Sequence, residues 1–84
     1  MIDMAASQNF RQNLRTALQV KEWSQRDLAD KAETSNPYVN RVLQGKTSPS
    51  LEQCEKFANA VGYPLAALLG STADFEAAVL THAT

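Results

Sequence analysis

Between Asn36 and Gln44 stand three amides and one guanidinium, Asn36, Asn40, Gln44 and Arg41, besides the hydroxyl of Tyr38. Counted at about 100° per residue on a helix, Val39 and Val42 fall together on one side. Pro37, Asn40, Arg41 and Gln44 fall on the other. An asparagine amide donates and accepts at once, which matches N7 and N6 of adenine; a guanidinium presents parallel donors, which match N7 and O6 of guanine. Pro37 adds a compact apolar ring suited to a thymine methyl. No carboxylate shares this face, and one would repel a phosphate backbone. The plainer reading is a solvated helix face, whose usual residues are Glu, Lys and Gln.

A second set of residues suits an anion rather than a base edge. Gln25 and Ser35 stand at the openings of predicted helices, where unpaired N–H groups and the helix dipole favour negative charge. Ser50 opens another. Gly45-Lys46-Thr47 follows the amide-rich segment with a flexible backbone and a cation. Tyr38 lies at the edge of the apolar stripe, so its ring can pack while its hydroxyl reaches a phosphate. Such contacts position a protein on a duplex without reading its sequence. Each serine has an equally good role as a helix cap.

Residues suited to catalysis are sparse. His82 is the one histidine and stands in the tail; Cys54 is the one cysteine and occupies an apolar helix position. A buried thiol is the stronger reading of such a residue. There is no glycine-rich phosphate loop and no metal-ligand spacing. The expectation is a protein that is not an enzyme and has no cofactor or metal.

The elements that must hold these residues read as helices. No period-2 run marks a strand. Phe10, Leu14, Ala17 and Leu18 give one apolar face from about Phe10 to Lys21, with Asn9 as N-cap and Gln12 completing a capping box. Ser24 caps the next helix, with Asp27 three residues on and Trp23 and Leu28 spaced as a hydrophobic staple. Leu28, Ala29 and Ala32 point inward. Glu33-Thr34 makes the turn, Ser35 caps the third helix, and Pro37 sits where its missing N–H costs nothing. Gly45 ends this helix as a left-handed residue. Ser50 and Gln53 form another capping box, ahead of an apolar face of Leu51, Cys54, Phe57, Ala58 and Val61. Gly62 stops that helix. Pro64 opens a short fifth one, Leu65 to Leu69, closed by Gly70.

Two short helices joined by a tight turn cross steeply, so the second projects from the body as a major-groove reader does. The whole chain has a formal charge of −1. Its basic side chains are concentrated in residues 9–46, seven against four acidic, while Lys56 alone offsets four acidic ones after that. The asymmetry suits a basic binding face and an acidic far side.

The 84 residues suffice for one domain. The expected organisation is a flexible arm over 1–8, a helix-turn-helix domain over 9–70, and a tail over 71–84 in which Phe75 and Val79, i and i+4 neighbours, favour a further short helix. No apolar run approaches the roughly 20 residues of a membrane span, and no secretory signal is evident. A cytoplasmic, reducing setting and no membrane partner are expected. The short apolar segments leave surface that one small core cannot cover. Pro64, Leu65, Leu68, Phe75 and Val79 are therefore the expected homodimer interface.

Taken together, Ser24-Gln25-Arg26-Asp27-Leu28-Ala29, then Val39, Val42 and Leu43-Gln44-Gly45-Lys46, then Pro49-Ser50-Leu51, Phe57-Ala58 and Ala60-Val61-Gly62 resemble the phage repressor and Cro (Xre-type) helix-turn-helix family over about residues 9–70. The resemblance implies an all-α, compact five-helix lambda-repressor-like domain that binds a palindromic double-stranded DNA operator as a dimer. By motif position it marks Gln25 and Lys46 as backbone contacts, and Asn36, Pro37, Asn40 and Arg41 as base-facing. Two residues depart from the pattern. Glu33 stands in the turn where the family commonly has glycine, and Pro37 replaces a commonly polar reading position. Two other functions fit the same pattern: an antitoxin that also binds a toxin, its tail meeting the protein partner, or an interaction domain of this fold that does not use DNA.

Overall fold

The computed structural model describes residues 4–82, and side chains over 5–79. Met1 to Asp3 of the expected arm, and the side chain of His82, lie outside the described residues. The described residues form six helices and no strand: α1 Met4–Lys21, α2 Gln25–Lys31, α3 Asn36–Leu43, α4 Leu51–Val61, α5 Leu65–Leu69 and α6 Thr72–His82. Most are shorter than the ~12–15 residues an isolated helix needs in water. Their stability comes from burying one face each against the others.

The long helix α1 is the organising element, packing on α3, α4, α5 and α6. It contributes Phe10, Leu14, Ala17 and Leu18 to the core. Leu28, Ala29 and Ala32 enter from α2 and its cap, Val39, Val42 and Leu43 from α3, and Cys54, Phe57, Ala58 and Val61 from α4. All of these agree with the sequence periodicity. Leu51 does not: at the opening of α4 it is 48% exposed, beyond the rim of the core. The rings of Phe10 and Phe57 meet at 6.3 Å.

The start of the chain differs from expectation. Residues 4–8 are the first turns of α1 and not a loose arm. Ala5 and Ala6 are strong helix formers, and the Ser7 hydroxyl meets that of Ser48 at 3.5 Å. Asn9 is consequently inside the helix and caps nothing; its amide reaches the Leu69 carbonyl at 3.5 Å. Asn13, fully buried, donates to the carbonyls of Leu68 at 2.9 Å and Gly70 at 3.1 Å. These two carbonyls belong to the end of α5, whose last groups have no partner inside so short a helix. Asn13 thereby ties α5 to α1.

Capping follows the sequence closely. Ser24 Oγ accepts the N–H of Asp27 and Asp27 Oδ2 accepts the N–H of Ser24, a complete capping box. Ser35 and Ser50 cap α3 and α4. Gln53 does not return to Ser50, however: its Oε1 is buried without a protein partner, so this box is only half formed. Ser71 caps α6 through the N–H of Asp74.

The C-terminal ends of α1 and α2 share a left-handed device. After α2, Thr34 N–H bonds Ala29 O and Glu33 N–H bonds Asp30 O; after α1, Trp23 and Glu22 do the same to Leu18 and Gln19. This is the Schellman pattern, which needs positive φ at its pivot. The pivots are Glu22 at φ 57° and Glu33 at φ 55°. A side chain is strained there by ~1 kcal/mol or more. Glu33 was suspect from the sequence; Glu22 was not, because the residues around it gave no turn signal.

Glu33→Gly is expected to raise stability by about 0.5–1 kcal/mol, the relieved strain less the added freedom of the unfolded chain. Urea unfolding followed by Trp23 fluorescence reads this as a higher midpoint; an unchanged or lower one would contradict it. Cys54, fully buried, has its thiol pushed up to about 11 by burial. At pH 8 a disulfide reagent is expected to label native protein at least ~100-fold more slowly than the denatured chain, because only thiolate attacks. Rapid native labelling would show the thiol to be accessible.

Candidate nucleic-acid interface

Helix α3 carries the candidate surface, and its orientation follows from what it buries. Val39, Val42 and Leu43 are almost wholly inside, so Asn36, Pro37, Arg41 and Gln44 are exposed on the opposite side, with Asn40 half-buried. Pro37 falls in the first turn after the Ser35 cap. The packing of α3 against α2 and α1 leaves this outward side uncovered.

Two of the expected base-facing residues are restrained by neighbours. Asn40 Nδ2 donates to Gln25 Oε1 across the α2–α3 junction at 3.1 Å. The guanidinium of Arg41 lies 6.0 Å from the centre of the Tyr38 ring, in cation–π range. The Tyr38 ring is in turn parallel to that of Phe57, 12° from coplanar with centroids 6.3 Å apart. Tyr38 therefore spends its ring on the core and on Arg41. Its hydroxyl is held protonated, raised above the usual tyrosine range by burial and then by nearby Cys54, against a smaller opposing pull from Arg41. It is available as a neutral donor to an anion.

The end of α3 is built by three separate devices. Lys46 N–H bonds Arg41 O at 2.9 Å and Gly45 N–H bonds Val42 O at 3.1 Å, again the Schellman pattern, here with a glycine pivot at φ 76°. Gln44 N–H takes Asn40 O. The Leu43 carbonyl is left over, and Arg15 of α1 supplies its partner. Nε donates at 3.1 Å and Nη2 donates to the same oxygen. A cation at a helix C-terminus is also favoured by the helix dipole. One turn earlier on α1, the Arg11 guanidinium lies directly over Gly45, where any side chain on residue 45 would collide with it. Gly45 is required by its φ; the Arg11 guanidinium is the end of a flexible side chain and can move aside from a larger residue.

These contacts gather Arg11, Arg15, Arg41 and Lys46 around one end of α3. None of the four is held by a carboxylate among the described residues. Sequence reasoning counted Arg11 and Arg15 only among the basic side chains of residues 9–46 and assigned neither a contact. Their i, i+4 spacing was the available signal, but it does not say which neighbour they face. Lys46 is exposed and Thr47 half-buried beside them. Ser35 and Ser50 use Oγ as acceptors in their caps. Their hydroxyl hydrogens remain free to donate.

The expected dimer residues do not form one exposed surface. Leu68 is 0% exposed, Phe75 3% and Val79 1%. They belong to the chain's own core because α6 folds back on α1 and α5, with Phe75 meeting Tyr63 edge-on at 5.3 Å. Pro64 remains exposed and Leu65 half-buried. The correction has a simple cause: the tail is an eleven-residue helix that supplies the apolar cover which the sequence reading assigned to a second subunit.

No helix among the described residues is long and apolar enough to cross a membrane. Comparison with curated proteins and with solved structures finds no match. A family model described as helix-turn-helix matches residues 14–68, well over half of the chain, from the middle of α1 to the buried Leu68 of α5. With the turn between α2 and α3, the outward amide and guanidinium face, and this match, the chain belongs to the Xre-type helix-turn-helix family and is a DNA-binding transcriptional regulator.

Proposed function

We propose that the protein is a phage or prophage repressor or a Cro-like protein, which occupies a palindromic operator as a homodimer and blocks polymerase there. The observation that carries this reading is the outward face of α3. Asn36, Pro37 and Arg41 are exposed and Asn40 is half-buried at the α2 margin, with the chemistry to meet base edges in a major groove. Gln25, Ser35, Tyr38, Lys46, Thr47 and Ser50 flank that face with donors and a cation for the phosphates, and Arg11 joins them from α1. The overall charge of −1 makes this local concentration of cations the source of attraction, so binding is strongly salt-dependent. Dimerisation uses the outer side of α5, where Pro64 and Leu65 remain accessible.

Selection from random duplex DNA, with affinity measured at two salt concentrations, tests the reading directly. A palindrome with half-sites about one helical turn apart is the expected product. No enrichment and no salt-sensitive binding would favour an interaction domain that leaves DNA alone. Arg41→Ala is expected to cost roughly 1–3 kcal/mol on the selected site and to relax base preference there; an equal loss on random DNA would remove Arg41 from the readers. Lys46→Ala is expected to weaken all sequences alike and to lower the salt slope by about one. A loss confined to the selected site would instead make Lys46 part of the specific contact.

A further inference from the structure

We propose that a row of side chains running from Tyr63 through Lys21 and Trp23 to Lys31, together with the cavity at its end, is a docking surface for an acidic polypeptide segment of a partner protein. No residue of α3 contributes to it, so the proposal stands independently of the reading of that helix.

The row is built where three helices end. Lys21 closes α1, Lys31 closes α2 and Tyr63 follows α4. Lys21 Nζ stands 5.5 Å from the centre of the Tyr63 ring and 5.3 Å from that of Trp23, and Lys31 Nζ stands 4.9 Å from Trp23. Both ammoniums are in cation–π range. Among the described residues neither is paired with a carboxylate. Lysines in the last turn of a helix and beside aromatic rings already have a structural use, since the helix dipole and the ring faces attract them. The row alone needs no ligand.

Lys56 is the residue that points to one. It stands in the middle of α4, away from either helix end, and no ring or carboxylate among the described residues holds it. It is the single basic residue after Lys46, yet it shares one cavity with Lys31. That cavity, of about 230 Å³, is lined by Lys31, Glu33, Lys56 and Asn59, with Ala32 and Ala60 as its apolar part. The two ammoniums outnumber the one carboxylate, and Glu33 makes an ion pair with neither. Like charges facing one concavity repel each other until an anion enters between them.

The occupant follows from size and shape. The volume is below the roughly 300–1,000 Å³ of small-molecule pockets, so it suits a side chain rather than a free ligand. Asn59 adds an amide that can bond to a peptide backbone. Lys31 belongs to both the cavity and the row. A chain that seats one carboxylate in the cavity therefore continues across Trp23 toward Lys21 and Tyr63. Extended backbone puts every second side chain on the same side, so a segment with alternate acidic residues presents them together to Lys56, Lys31 and Lys21.

Trp23 is the one tryptophan of the chain, and its emission reports on the row directly. Short poly-L-glutamate is titrated against the full chain, with poly-L-lysine and sodium glutarate as controls. The same titration is run on Glu33→Gln and on the double variant Lys31→Gln/Lys56→Gln, with circular dichroism confirming the fold of each. A saturable change in emission is expected with poly-L-glutamate and none with poly-L-lysine. The double variant is expected to bind about tenfold more weakly and Glu33→Gln about twofold more tightly. Excess random-sequence duplex is expected to leave the peptide in place. The proposal is wrong if poly-L-glutamate gives no saturable change, or if the double variant binds it undiminished. Saturation by glutarate at the same carboxylate concentration would make the cavity a small-anion site and overturn the docking surface. Displacement by the duplex would assign the peptide to the cations around α3 and overturn it as well.

Discussion

The burial of Val39, Val42 and Leu43 is the constraint on which the rest of the molecule depends. Removing each such side chain from water is worth about 1.5–3 kcal/mol, a large part of the net stability of a domain this size. An eight-residue helix has no other strong preference for how it is rotated. Once these three residues are inside, Asn36, Pro37, Arg41 and Gln44 are outside, with Asn40 at the margin beside α2. The chemistry of the outward face is then a consequence of core packing. A change that rotated α3 would alter the face as surely as replacing its side chains.

Holding the helix at its ends is a separate problem, and the structure solves it with groups from outside α3. Ser35 closes the N-terminal end. At the other end the Schellman turn uses the carbonyls of Arg41 and Val42, and Arg15 takes the one at Leu43. Along its length, Gln25 engages Asn40 and the Phe57–Tyr38 pair supports Arg41. Each brace comes from a different element: α1, α2 and α4. The outward surface of α3 is a product of the whole domain, although its residues lie in one short segment.

The electrostatics follow the same division. A charge of −1 offers a nucleic acid nothing at long range. Folding converts cations separated in the chain, Arg11 and Arg15 on α1, Arg41 on α3 and Lys46 beyond it, into one cluster at the end of α3. Glu52, Glu55, Asp74 and Glu76 lie on α4 and α6. At physiological salt, exposed charges separated by more than about 8 Å are largely screened from one another, so the potential near the end of α3 follows the local cations more than the sum.

Much of this was legible in the sequence because it depends on local rules. Periodicity identified the buried faces of the first four helices, and Ser24, Ser35 and Ser50 marked the starts of α2, α3 and α4. Gly45 and Gly62 marked ends, and the spacing of Val39 and Val42 predicted which way α3 faces. Local rules also explain the errors. Asn9 has the composition of a cap, but α1 begins at Met4 and takes it inside the helix. Glu22 carries no turn signature, yet the chain must reverse there to bring α2 onto the core. The sequence by itself determined the helices, their inward faces and the chemical character of α3, since each is set by residues a turn or two apart. The tertiary structure decided what those local rules cannot reach. Arg11 and Arg15 serve the end of α3, Gln25 holds Asn40, and Leu68, Phe75 and Val79 are spent inside the chain. Each of those outcomes depends on contacts between residues 15 to 60 or more apart in sequence, and spacing along one helix says nothing about its neighbour.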